Sequence, residues 1–160
     1  MHAWPESVEA VAAYLRAAGA EARLEEFEAV TGTASEAARA VGSDPADIVK
    51  SLIFVCDGRP VLALVPGDRR ADPAKVARAA GAAEARIAGG DEVRSITGFE
   101  PGAVAPFPLP RVDRVLGERS LLSRRAVWIG AGSARHLAVL PSPELFRLTR
   151  AAPADLVLDL

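Results

Sequence analysis

The sequence predicts an α+β fold: a mixed or mostly antiparallel, barrel-like β-sheet flanked by helices, in a single domain. Three observations carry this expectation. Helical and strand patterns are interspersed along the whole chain. Several strand pairs are linked too tightly for parallel crossovers. The central pair, Ile48–Cys56 and Pro60–Val65, is apolar on both faces, which places it in the middle of a covered sheet. The 160 residues suit one domain, and the 50% hydrophobic content is ample for a core without staples.

The elements follow in order. Val8, Val11, Ala12 and Leu15 form one apolar stripe on a helix from Glu6 to Ala18, which Gly19 stops. Ala22 to Phe27 reads as a short, polar strand near a sheet edge. Thr33-Ala34-Ser35-Glu36 is a capping box that opens a helix from Ala34 to Val41, closed by Gly42. Asp44-Pro45 starts a further turn. Asp57-Gly58-Arg59 then joins the two apolar strands as a hairpin. Asp72-Pro73 caps a helix through Ala80, ended by Gly81. Glu84–Ala88 is a short strand, and Asp91 caps a helical turn through Ile96. Thr97 to Pro110, dense in glycine and proline, is a structured loop. Val112–Leu116, Ala126–Ile129 and Arg135–Leu140 are strands. Ser142-Pro143-Glu144 caps a last helix through Leu148, and the apolar tail from Ala151 to Leu160 docks on the body.

Bulk properties exclude several function classes. A net charge of −2 gives no global basic field, so any nucleic acid must be met by a local patch. Arg124, Arg125 and Arg135 are candidates for such a patch, or simply solvated arginines. The single cysteine, Cys56, lies in a buried strand and reads as a small core residue, which fits a reducing cytoplasm. No run of about eighteen apolar residues predicts a membrane helix. Met1 to Glu6 lacks the pattern of a secretory leader. With His2 and His136 the only histidines and Cys56 alone, no metal site is expected. There is no Walker loop, no G-x-S-x-G elbow, and no dinucleotide fingerprint, since Arg135 fills the last glycine position after Gly130-x-Gly132.

Three segments remain as candidate chemistry. Seventeen of the nineteen basic residues are arginine, and Lys50 sits at the head of a doubly apolar strand. Period-two geometry projects it to the side of Leu52, Phe54 and Cys56. A cation there snorkels to solvent, finds a partner, or faces a polar cavity where a compact ammonium grips phosphate or hydroxyl. The second segment, Thr97 to Phe107, can present backbone amides to a ligand or act as a plain connector. The third, Gly130-Ala131-Gly132-Ser133, is a hairpin loop whose amides can also form an anion nest. Ser133 and His136 are three residues apart; a serine–histidine pair and an accidental neighbourhood both fit, and His136 alone reads as a hydrogen-bonded sheet histidine.

In this order and spacing the segments resemble the YbaK/EbsC family, free-standing relatives of the editing domain of bacterial prolyl-tRNA synthetase. The matching stretches are Ala34 to Ala38 with Val41-Gly42, Ile48 to Leu52, Pro73 to Ala77, Thr97-Gly98-Phe99 with Gly102 to Pro106, and Val127 to Ser133. The similarity spans roughly residues 6 to 157.

The resemblance implies a barrel-like editing-domain fold and hydrolysis of the ester linking a wrong amino acid to tRNA, above all alanine or cysteine on tRNA(Pro). It implies no cofactor and no metal. Lys50 matches the family's essential lysine, and with Gly102 it takes the catalytic position. Ala103, Val104, Ala105 and Pro106 belong to the loop that shapes the aminoacyl pocket. Gly130, Ala131, Gly132 and Ser133 belong to the glycine loop at its mouth. Thr33, Ser51, Phe99 and His136 complete the implied substrate contacts. Two departures alter pocket size and polarity: Ala103 where many relatives have a second glycine, and Ala105 where a small polar residue is common. The implied partners are the aminoacyl-tRNA acceptor end and an aminoacyl-tRNA synthetase, with no membrane. Two other readings stay open: a non-catalytic module that binds a tRNA end or small ligand, and a protein that docks on a synthetase without hydrolysing anything.

Overall fold

The computed structural model describes residues 3–160; Met1 and His2, the latter one of the two histidines set aside as metal ligands, lie outside the described residues. The order is α1 (Glu6–Ala17), β1 (Arg23–Glu26), α2 (Ala34–Val41), β2 (Val49–Cys56), β3 (Arg59–Pro66), α3 (Pro73–Ala80), β4 (Ala85–Ile87), α4 (Gly90–Thr97), β5 (Arg114–Glu118), β6 (Ala126–Gly130), β7 (His136–Pro141), α5 (Ser142–Thr149) and β8 (Ala152–Ala154). Short 3-10 turns occupy Pro45–Asp47 and Arg119–Ser123.

The strands form two sheets rather than one curled sheet. One has the order β1-β7-β6 and is antiparallel throughout. The other has the order β4-β2-β3-β5-β8. Its β4, β2 and β3 are antiparallel, whereas β3-β5 and β5-β8 run parallel, so it is mixed. A parallel bridge between Ile48 and Trp128 joins the two sheets without closing a barrel. The doubly apolar hairpin lies inside the larger sheet as expected, and the polar β1 lies at an edge.

The hairpin turn is two residues, Asp57 (φ 50°) and Gly58 (φ 82°), both left-handed. This is the backbone sense that matches strand twist, and Asp-Gly is suited to it. Alternation along β2 then feeds two cores. Val49 and Ile53 pack with Leu62, Leu64, Ile129, Leu140 and Leu145 between the sheets. Phe54 and Cys56 pack with Val61, Val65, Val76, Leu116 and Leu156 under α3 and the tail. Burial, reinforced by nearby Asp57, pushes the Cys56 thiol above its ordinary pKa.

The helix starts follow the sequence with two corrections. Thr33 Oγ1 accepts from Glu36 N and Glu36 Oε1 accepts from Thr33 N, both at 3.1 Å, so the capping box forms. Asp72 Oδ1 accepts from Ala74 N at 2.9 Å. Asp91, however, lies inside α4; Glu92 closes that helix start by accepting from Gly89 N at 3.0 Å. Ser142 is likewise the first residue of α5, with no capping bond. Its buried hydroxyl donates instead to Leu121 O at 2.7 Å, which serves a tertiary contact. The tail carries an unanticipated strand, β8, because its hydrogen-bond partners come from distant β5.

Glu118, only 3% exposed, anchors this end of the sheet. Its carboxylate accepts from Ser120 N at 2.8 Å and from Leu156 N at 3.0 Å. Each buried donor left unpaired costs about 1–3 kcal/mol. Glu118→Ala is therefore expected to lower unfolding stability by about 2–4 kcal/mol in a urea titration.

Candidate functional site

The cavity that matters lies where β2 begins. It measures about 310 Å³ and takes its wall from four places. Thr31, Gly32 and Thr33 lead into α2, whose Ala34 and Ala37 follow; Ile48 to Leu52 form the strand side; Gly102 and Val104 supply a loop; Gly130 and Leu137 come from the smaller sheet. Six residues singled out from sequence therefore meet here: Lys50, Ser51, Gly102, Val104, Gly130 and Thr33.

Close backbone approach holds this arrangement. A Cβ on Gly130 would stand 2.5 Å from Val104 O, so only glycine lets the 102–106 loop seat on β6. Gly102 adopts φ +84°, and its position faces Gly32 across the mouth: a Cβ on Gly32 would lie 3.3 Å from Gly102 O. The Ala103 amide is engaged by Glu100 O at 2.9 Å, which turns the loop and removes that amide from ligand contact.

Lys50 stands at the rim, and its ammonium donates to Arg69 O at 2.5 Å. Burial lowers its pKa below the ordinary lysine value; the Arg70 charge adds to that shift and Asp68 opposes it. The cation is thus placed on a single carbonyl, with donor capacity to spare. Beside it, the Ser51 hydroxyl is buried and has no hydrogen-bond partner among the described residues. Such an oxygen is a standing cost unless something else bonds to it.

The remaining sequence candidates are placed elsewhere. Phe99, Ala103, Ala105 and Ala131 are buried, and Phe99, Ala105 and Ala131 belong to the core between the sheets. Pro106 borders a separate groove with Tyr14 and Phe107. Gly132 packs against α1: a Cβ would stand 2.7 Å from Ser7 O, and Ser7 Oγ donates to Gly132 O at 2.6 Å. Ser133 and His136 do interact, with Oγ 2.5 Å from Nδ1. His136 Nε2 lies 4.0 Å from Glu26 Oε1, and Trp4 packs edge-on against the ring. Ser133 Oγ also accepts from Arg135 N at 3.0 Å, so the pair is part of the turn and lies outside the cavity lining. Arg124 pairs with Asp47 at 3.3 Å and Arg135 donates to Phe27 O at 2.9 Å.

Sequence reasoning missed Thr31, Gly32 and the apolar lining residues. Thr31 Oγ1 donates to Ala134 O at 3.0 Å, a contact over a hundred positions away that no local pattern announces. The aminoacyl-tRNA editing domain family matches residues 28–148. The chain belongs to that family. This editing domain superposes with a TM-score of 0.91 on a candidate trans-editing enzyme for prolyl tRNA synthetase. The two are 36% identical, with 98% of this chain and 100% of that one covered. A hypothetical protein, APE2540, aligns with a TM-score of 0.87 at 33% identity over 96% of this chain and 100% of its own. A proline–tRNA ligase of Bacillus licheniformis is 38% identical over 98 residues, 59% of this chain but 17% of the ligase. The chain thus spans about a sixth of the length of that curated relative. By family the chain is an aminoacyl-tRNA deacylase. Among the described residues no helix is long and apolar enough to cross a membrane.

Two substitutions test the site's construction. Gly130→Ala forces the Val104 carbonyl away and is expected to cost about 1–3 kcal/mol of stability along with most of the deacylation rate. Ser51→Ala is expected to do the reverse to stability, raising it by about 1 kcal/mol by removing an unpartnered hydroxyl while slowing deacylation. Paired unfolding and ester-hydrolysis measurements read both.

Proposed function

We propose that this editing domain works in trans on mischarged tRNA, probing the 3′ end of tRNA(Pro) and releasing a small wrong amino acid such as alanine or cysteine. The observation that carries this reading is the convergence of Lys50, Ser51, Gly102 and Gly130 on one small cavity. A pocket of about 310 Å³ suits the tip of a charged acceptor end and excludes bulk.

The chemistry needs no protein nucleophile. An aminoacyl ester is already activated, and water adds to its carbonyl carbon to give a tetrahedral oxyanion. The bond to the ribose oxygen then breaks, and the proton lost by the attacking water passes to that oxygen. Positioning and polar stabilisation supply the catalysis. Lys50 holds the terminal phosphate or ribose as a point charge, with the backbone at Gly102 and Val104 beside the acyl group. Ser51 bonds the substrate with the hydroxyl that the protein leaves unpaired. A synthetase partner delivers the substrate or receives the freed tRNA.

The deciding experiment incubates purified protein with tRNA(Pro) carrying alanine, cysteine or proline and follows ester loss. Faster release of alanine or cysteine than of proline is expected. Lys50→Ala should slow that release by about ten- to a hundredfold, the value of a hydrogen bond to a charged group. Lys50→Arg should also be impaired, because a planar fork does not fit a point-charge site. Intact deacylation by Lys50→Ala defeats the role given to Lys50, and binding without turnover reassigns the protein as a binding module.

A further inference from the structure

The tail, residues 155–159, lies across residues 69–72. Leu158 N donates to Arg70 O at 2.9 Å and Asp72 N to Leu156 O at 2.8 Å, around an antiparallel bridge between Ala71 and Val157. Leu156 and Val157 are buried in the core under α3. Lys75, in the first turn of α3, fastens the tail from the other side. Its ammonium donates to Asp155 Oδ1 at 3.1 Å, Val157 O at 2.7 Å and Asp159 Oδ1 at 2.7 Å. Its side chain is only 14% exposed, so this is a seated contact and not a loose surface pair.

Arg69 connects this strap to the cavity. Its guanidinium donates to Leu158 O at 2.5 Å, while its carbonyl receives the Lys50 ammonium. No residue of the tail lines the cavity itself. We infer that Lys75 is a positioning residue for the editing reaction: by clamping residues 155–159 onto residues 69–72, it fixes the carbonyl on which Lys50 rests. The inference builds on the role given to Lys50 under the proposed function.

The physical basis is the freedom of the lysine stem. A lysine side chain that is not tethered samples many rotamers, and holding it costs side-chain entropy at each encounter with substrate. Resting the ammonium on a fixed carbonyl removes that cost before substrate arrives. Displacing a positioning group by about 1 Å can slow an enzyme by as much as ~100-fold. The tail therefore acts at a distance, through one peptide unit.

The chain offers a direct readout, because Lys50 and Lys75 are its only lysines. Full-length protein labelled with carbon-13 at the lysine Cε shows two environments, and Lys75→Met leaves Lys50 alone. In Lys75→Met the Lys50 resonance should move and its titration midpoint should rise toward the ordinary lysine value as burial is lost. Deacylation of mischarged tRNA should fall about tenfold, with Lys75→Arg retaining most of the rate. Asp159→Asn, a milder change, should shift both readouts in the same direction by less, which covers the case that Lys75→Met does not fold. A Lys50 resonance that stays in place in these variants overturns the inference. So does a moved resonance with an unchanged rate. Absence of any deacylation by the unaltered chain overturns the proposed function alone, and the resonance still decides whether the strap places Lys50.

Discussion

The parallel bridge between Ile48 and Trp128 is the joint on which the site depends. It locks the start of β2 to the smaller sheet just before that strand enters the larger one. From there Val49 and Ile53 turn toward the core between the sheets, while Leu52, Phe54 and Cys56 turn toward α3 and the tail. A strand that begins beside one sheet and continues in another leaves a recess at the changeover. Ile48 to Leu52 line it from one side, and Gly130 and Leu137 from the other.

Three backbone segments then narrow the recess without filling it. The 31–33 segment is held by Ala134 O and the 102–104 loop rests on Gly130; the third, the start of β2 itself, carries Lys50, whose ammonium is held by Arg69 O, outside the lining. Glycine at 32, 102 and 130 allows the first two to approach closely, because a Cβ at 130 would stand 2.5 Å from the Val104 carbonyl oxygen and force it aside. The result is a small mouth rimmed by one ammonium, with a hydroxyl left unspent beside it. On the proposed function these are the properties of a place that receives a polar ester end, and under that reading a chain of net charge −2 needs no broad basic face.

Much of this was legible in the chain, for identifiable reasons. Asp57-Gly58 and the apolar runs beside it announce the central hairpin, since turn chemistry and burial act locally. Thr33 and Glu36 likewise announce α2. Lys50 is visible as a charge in an apolar strand, and Leu52, Phe54 and Cys56 of that strand share one core, as the alternation predicts. What escaped depends on distant partners. The tail strand β8 exists because β5 offers it an edge, and Ser142 forgoes capping because Leu121 O lies within reach. The split into two sheets is equally non-local, fixed by pairings that the strand patterns do not encode. Among the candidate site residues, glycine and proline density marked a whole loop, yet only Gly102 and Val104 of it reach the cavity. Composition shows where a backbone can bend and is silent on which side of the bend faces a ligand.

The single sulfhydryl has a practical corollary. Cys56 is packed against Phe54 and Val61 in the larger sheet, with its proton held more tightly than usual. Alkylating reagents attack the anion, so they encounter a group that is both sheltered and seldom ionised. An exposed cysteine introduced near the rim would react far ahead of it. A fluorophore could therefore be attached beside the mouth with the native residue left untouched.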